Sequence, residues 1–154
     1  MSLDEIDLKV LRQLLSQGRI TWSELAGVLG LSPPATADRV RRLEDKGVIQ
    51  GYTAIIDAES LGCDLTAFVA ITLERPEHRD AFIQRVQSLP QVQECHHMAG
   101  DYDYLLKVRC RGTKDLERLV SDDIKSVAGV LKTRTMIALS TVKETSALPL
   151  PEPS

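Results

Sequence analysis

The sequence predicts an α+β protein in two parts, an N-terminal winged helix-turn-helix followed by a ferredoxin-like βαββαβ sandwich. Three observations carry this expectation: a pair of capped helices between Thr21 and Gly47, a β-branched run directly after it, and a change of hydrophobic pattern from about residue 57.

Leu3, Ile6, Val10 and Leu14 form a helical stripe, widened by Leu11 and Leu15, that ends before Gly18. Thr21 opens the next helix: its hydroxyl caps the N–H of Glu24 while the Glu24 carboxylate reaches back, a reciprocal capping box. That helix points Leu25, Ala26, Val28 and Leu29 inward and meets Gly30, which takes the positive φ of a sharp helix exit. Ser32 is a good N-cap, and Pro33 suits the first helical position, where a missing N–H costs nothing. The helix that follows is closed by Gly47, and Thr36, Val40 and Leu43 form its buried stripe at i, i+4 and i+7. Projection at about 100° per residue turns Pro34, Ala35, Asp38, Arg41, Arg42 and Asp45 away from that stripe, with Arg39 and Lys46 on its flank. Small residues at the leading end permit close approach to a groove, and the basic ones suit phosphates or guanine edges. The same pattern also describes a solvated helix with Asp38 and Arg42 as an i, i+4 pair. The run Val48 to Ile56, β-branched and aromatic around Gln50-Gly51, favours the first reading because it suggests a small β-wing beside that helix.

Composition agrees with two small soluble domains. No apolar run approaches the roughly 18 to 20 residues that span a bilayer, and the acidic first residues do not resemble a signal peptide. No membrane association and a cytoplasmic location are therefore expected. Cys63, Cys95 and Cys110 are odd in number and widely spaced, which indicates neither a disulfide framework nor a zinc site. The net charge of −3 is awkward for a chain that must neutralise phosphates, and residues 1 to 56 alone balance seven Lys or Arg against seven Asp or Glu. Binding to double-stranded DNA must then rest on local placement of Arg39, Arg41, Arg42 and Lys46 and on several copies acting together.

Beyond residue 57 the expected order is a short helical connector ending at Gly62, a strand from Thr66 to Leu73, and an amphipathic helix from Pro76 to Leu89 with Phe82, Ile83 and Val86 inward. Strands from Val92 to Met98 and from Tyr104 to Cys110 follow. Thr113 caps another helix bearing Leu116, Leu119, Val120, Ile124 and Val127, Gly129 ends it, and Val130 to Leu139 makes the last strand. This β-α-β-β-α-β order puts helices on one face of the sheet only. Apolar residues on both faces, around Phe68, Val69 and Ala70 and along Ile137 to Leu139, call for a partner sheet, so a homodimer is expected.

The stretch Gly100-Asp101-Tyr102-Asp103-Tyr104 is the best candidate for chemistry. Two carboxylates beside a glycine and two phenols can hold an ammonium by charge and a carboxylate through backbone N–H groups, as a free amino acid requires. The same residues also make a polar hairpin turn. No Ser/His/Asp set, nucleotide-binding glycine loop or metal-binding carboxylate cluster is present, so neither catalysis nor a metal is expected. Adjacent His96 and His97 point to opposite faces of a strand, and Cys95 with His97 lacks further ligands at zinc spacing. Tyr52 reads as wing packing and Trp22 as an anchor at the helix start.

Taken together, Leu3-Asp-Glu-Ile-Asp7, Gly18-Arg-Ile20, Leu25-Ala26, Gly30-Leu-Ser-Pro33, Arg39-Val-Arg-Arg-Leu-Glu44 and Gly47-Val-Ile-Gln-Gly-Tyr-Thr-Ala54 resemble the N-terminal signature of the Lrp/AsnC family of bacterial and archaeal transcription regulators. Val92-Gln-Glu-Cys95, Gly100-Asp-Tyr-Asp-Tyr104, Gly129-Val130 and Thr133-Arg-Thr135 resemble its C-terminal effector (RAM) domain. The resemblance runs from Leu3 to about Leu148. It implies a winged helix over 1–56 and a ligand-binding and oligomerisation domain over 66–147, while the residues themselves suggest a connector over 57–65 and a disordered tail over 148–154. It further implies dimers paired through their sheets, often four to an octameric ring. An amino acid or related metabolite would then bind as effector at Gly100, Asp101, Tyr102 and Asp103, with His97 and Met98 on the incoming strand and Thr133 and Thr135 from a neighbouring strand. Asp103 would pair with the ammonium, and backbone groups around Gly100 and Asp101 would take the carboxylate. The DNA face would comprise Ser32, Pro34, Ala35, Ala37, Asp38, Arg39, Arg41, Arg42 and Lys46. Relatives often carry Ser or Thr where this chain has Pro34, Ala35 and Ala37, so DNA shape and bending should supply much of its specificity. Two other functions fit less well, a ligand-independent DNA-wrapping protein and an enzyme akin to the siroheme decarboxylases. The latter carry a different His/Arg and aromatic pattern where this chain has Gly100-Asp-Tyr-Asp-Tyr-Leu-Leu106.

Overall fold

The computed structural model describes residues 2–152. The chain divides into two compact units: the first takes in residues up to Ile55 together with those from Glu144 onward, and the second runs Ile56–Lys143.

In the first unit, α1 (Glu5–Ser16), α2 (Trp22–Leu29) and α3 (Pro33–Asp45) close around Val10, Ile20, Leu25, Val40 and Leu43. Each helix starts at a side-chain cap. Asp4 and Asp7 form a capping box on α1, Thr21 and Glu24 form one on α2, and Ser32 accepts from the Ala35 N–H before α3. The Asp4 cap was not foreseen. Gly30 leaves α2 at φ 68, the left-handed value that turns the chain toward α3. Thr36, Val40 and Leu43 are fully buried, as their spacing requires, and the Thr36 hydroxyl donates to the Ser32 carbonyl at 3.0 Å. Two expectations fail. Val28 is exposed because the inward face of α2 is centred between Leu25, Ala26 and Leu29, and Val28 falls roughly 100° from that centre. The segment from Gln50 to Asp57 has no regular secondary structure and no strand partner, so in the single chain no hairpin turns at Gln50-Gly51. The tail, expected to be disordered, groups with this unit: Arg12 Nη2 donates to the Pro151 carbonyl at 2.8 Å, and Leu148 and Leu150 line a cavity with Leu15. Pro153 and Ser154 lie outside the described residues.

The second unit is a four-stranded antiparallel sheet of β1 (Leu65–Leu73), β2 (Val92–His97), β3 (Tyr104–Cys110) and β4 (Val130–Ile137) in the order β2-β3-β1-β4. Its helices are α4 (Arg79–Gln87), entered through a single turn at Pro76–His78, and α5 (Thr113–Arg118), which widens into a π turn over Leu119–Ile124. The central strand β1 places Ala67, Val69 and Ile71 against Val108, Leu106 and Tyr104 of β3. These residues, with Phe82 and Val86 of α4 and Leu116, Leu119 and Ile124 from the second crossover, make one continuous core. Thr113 is the first residue of α5 rather than its cap, a place taken by Gly112 without a side-chain bond. Gly129, at φ 87, ends the crossover where the His78 imidazole leaves no space for a side chain.

Register divides these apolar residues between the two faces, as expected, but sets charged residues among them. Val69 and Ile137 belong to the helix-bearing face, whereas Phe68, Leu105 and Met136 share the open face with Lys107 and Arg134. The open face is mixed rather than apolar.

Candidate functional site

The first candidate surface is the outer face of α3. Ser32, Pro34, Ala35, Asp38, Arg41, Arg42 and Lys46 are exposed, and Ala37 and Arg39 are half-buried. The cations are not equally available. Arg41 pairs with Asp38 at 3.2 Å, both well exposed. Arg39 turns away from the outer face: its Nη1 reaches both carboxylate oxygens of Asp4, at 2.6 and 2.8 Å, and Asp7 Oδ1 at 2.9 Å. Arg42 Nη2 donates to the same Asp7 oxygen at 2.9 Å. Asp7 is 2% exposed, so two guanidinium groups of α3 neutralise one buried carboxylate of α1. The Arg39 hydrogen bond holds the Asp4 carboxyl below the usual carboxylate range, and Asp4 in turn raises the Arg39 guanidinium above its ordinary value. Sequence reading placed Arg39 and Arg42 on the helix surface and missed Asp7. The i, i+3 spacing of Asp4 and Asp7 just before a helical stripe was the available signal.

The second candidate lies at the end of the sheet. Asp103 holds three stretches of backbone together. Its N–H donates to the Ile71 carbonyl at 2.9 Å, its carbonyl accepts from the Met98 N–H at 2.8 Å, and its Oδ2 accepts from the Leu73 N–H at 2.7 Å. Oδ1 has no hydrogen-bond partner among the described residues. Asp103 lines a cavity of about 110 Å³ with Leu73, Arg79, His97 and Tyr104. A larger cavity of about 340 Å³ shares Arg79, His97 and Tyr104 and continues along α4 past Ile83 and Val86 to Cys95. The His97 ring stacks on Tyr104 with centroids 4.9 Å apart, and Tyr104 leans on Phe82 at 5.0 Å. Both cavities therefore share the His97–Tyr104 aromatic wall and the Arg79 cation, and the smaller one adds the Asp103 carboxylate.

The site residues named from sequence are thus only partly assembled within one chain. His97 and Asp103 meet at the cavity. Gly100 and Asp101 are exposed, Met98 and Tyr102 are half-buried, and none of the four lines it. Thr133 shares a row across the sheet with Ile71, Tyr104 and His97, but β4 is the opposite edge from β2. Three strand spacings, about 14 Å, separate it from His97. Thr135 is equally remote. Tyr104, the second phenol of the expected loop, does line both cavities, whereas Arg79 carries no local signal that marks a helix-start arginine as part of a pocket. On the open face, His96 bonds Glu94 at 3.0 Å and holds that carboxyl below its ordinary range. Among the described residues no group of three His, Cys, Asp or Glu side chains is arranged for a metal.

The two surfaces coincide with two family models. Residues 3–50 match a winged helix-turn-helix DNA-binding domain, and residues 66–148 match the Lrp/AsnC ligand binding domain. The leucine-responsive regulatory proteins of Escherichia coli and Klebsiella pneumoniae are each 42% identical to this chain over 148 residues, 95% of it and 90% of theirs. A transcriptional regulator from Neisseria meningitidis, solved in complex with L-Met, matches with a TM-score of 0.91 and 32% identity over 96% of this chain and 97% of that one. The feast or famine regulatory protein from M. tuberculosis complexed with L-methionine matches with a TM-score of 0.89 and 41% identity over 97% of this chain and 100% of that one. The chain belongs to the Lrp/AsnC family of transcriptional regulators.

Proposed function

We propose that this regulator holds duplex DNA against the outer face of α3 and adjusts that binding, or its own assembly, in response to an amino acid or related metabolite at Asp103. The observation that carries this reading is the division of the chain into a unit matching a DNA-binding model and a unit matching a ligand-binding model. Arg41, Lys46 and the outer edge of Arg42 take phosphates, Ser32 and Asp38 stand nearest to base edges, and Pro34, Ala35 and Ala37 permit close approach. Arg39 is assigned to the α1–α3 contact instead. Asp103 Oδ1 accepts from the ligand ammonium, and N–H groups around Gly100 and Asp101 take its carboxylate. His97, Met98 and Tyr102 border the ligand, and Thr133 and Thr135 reach it from a second copy. Homodimers assemble further, to an octamer in this reading. The protein acts as a cytoplasmic binding protein rather than an enzyme, with the effector as its only small molecule.

The relatives solved with methionine supply the probes. Asp103→Asn keeps an oxygen for the Leu73 N–H and removes the charge. Fluorescence anisotropy on the DNA upstream of its own gene, with L-methionine or L-leucine added, should show a shift in affinity of fivefold or more. Asp103→Asn should abolish that shift and weaken amino-acid binding by calorimetry at least tenfold, while DNA affinity without ligand stays within twofold. Unchanged calorimetric binding in Asp103→Asn removes the ammonium role.

A further inference from the structure

We propose that Asp7, buried in α1, is a positioning residue for DNA binding, fixing the Arg42 guanidinium so that its free edge meets a phosphate. The inference rests on the reading of α3 as the DNA-facing helix.

The two arginines that share Asp7 are held differently. Arg39 is 20% exposed and bonded to three carboxylate oxygens, two on Asp4 and one on Asp7. Arg42 is 45% exposed and gives a single amine to Asp7. A guanidinium carries five N–H donors in a rigid plane, so one bond on one edge orients the rest without consuming them. Asp7 is itself held on both sides: its N–H donates to Asp4 Oδ1 at 2.7 Å, and its Oδ2 accepts from the Asp4 N–H at 3.1 Å. The carboxylate is therefore a fixed post, set by the capping box of α1, against which Arg42 leans. A long, mobile side chain loses rotamer freedom when it grips a phosphate, and Arg42 has given up part of that freedom before DNA arrives. Arg41, paired only with exposed Asp38, has no such support.

Two effects of opposite sign compete at Asp7. Removing its charge makes α3 more positive, which by itself tightens DNA binding; removing its hold on Arg42 loosens a phosphate contact. Positioning dominates in this assignment, because the Asp7 carboxylate is buried while Arg42 keeps an exposed edge for the phosphate.

The test is anisotropy on a mixed-sequence 40-base-pair duplex across a KCl series, with the full chain, Asp7→Asn, Arg42→Lys and the double variant. Asp7→Asn should weaken binding about fivefold and reduce the log–log salt slope by about one. In the Arg42→Lys background the same change should cost less than twofold. Equal losses in both backgrounds, or tighter binding by Asp7→Asn, overturn the inference alone. Absence of salt-dependent binding by the unmodified chain overturns the DNA reading together with it. Should Asp7→Asn fail to fold, guanidinium NMR of the unmodified protein decides the matter. Separate, slowly exchanging Nη signals for Arg42 before DNA is added support the fixed post, and one averaged signal overturns it.

Discussion

The two units of this regulator are closed by different forces. The helical unit surrounds a small core of Val10, Ile20, Leu25, Val40 and Leu43 and seals its α1–α3 seam with Asp4, Asp7, Arg39 and Arg42. The sheet unit has a continuous apolar core in which the Cys110 thiol and the Tyr104 ring are buried. A module of roughly 55 residues buries too little apolar surface to be more than marginally stable. A charged seam helps close it, and that seam uses side chains from the surface that faces outward. In the sheet unit the core and the cavity are more separate, and Tyr104 is the buried residue that lines both cavities and packs in the core.

This contrast can be broken experimentally. Asp7→Ala leaves two guanidinium groups without their shared carboxylate and should cost about 3 kcal/mol, the lower end for breaking a buried pair, because Asp4 still holds Arg39. Urea unfolding followed by Trp22, the sole tryptophan, reports on the helical unit. Gly129→Ala strikes the sheet unit. Its Cβ would fall 2.0 Å from His78 Cγ at a backbone φ of 87, so a loss of about 2 kcal/mol is expected. Far-UV circular dichroism should register that loss with little change in the Trp22 transition. If each variant moves both probes equally, the units unfold as one and the contrast does not hold. The smallest effect concerns Cys110. Burial pushes its thiol up to about 11 from an ordinary 9.0, so its stabilisation is complete below pH 9 and is lost as pH rises through 11. At pH 10 the loss attributable to this group should be about 1 kcal/mol, measured as the difference between the unmodified protein and Cys110→Ala.

Legibility in the sequence followed the range of the interactions. Thr21 with Glu24, Gly30, and Ser32 with Pro33 act within one helical turn, and each stands where its spacing indicated. The strand order was readable for a related reason, since alternation and punctuating glycines mark each element. What could not be read depends on partners distant in the chain. Arg39 looked like a surface cation because its partners, Asp4 and Asp7, lie 35 and 32 positions away. Val28 looked inward because apolar character does not say which side of an eight-residue helix meets its neighbours. Thr133 and Thr135 carried family likeness, yet only the register assigns them to the opposite edge from His97. The run after Gln50 has strand composition and no strand partner in its own chain.

Asp103 is a mechanical joint at the end of the sheet. With its N–H on Ile71, its carbonyl on Met98 and its carboxylate on Leu73, it works as a pin through the end of a frame, joining the central strand to the exit of the edge strand. A pin transmits load without changing shape. A load applied to the free oxygen of this carboxylate therefore falls on β1, the strand on which both neighbours hang.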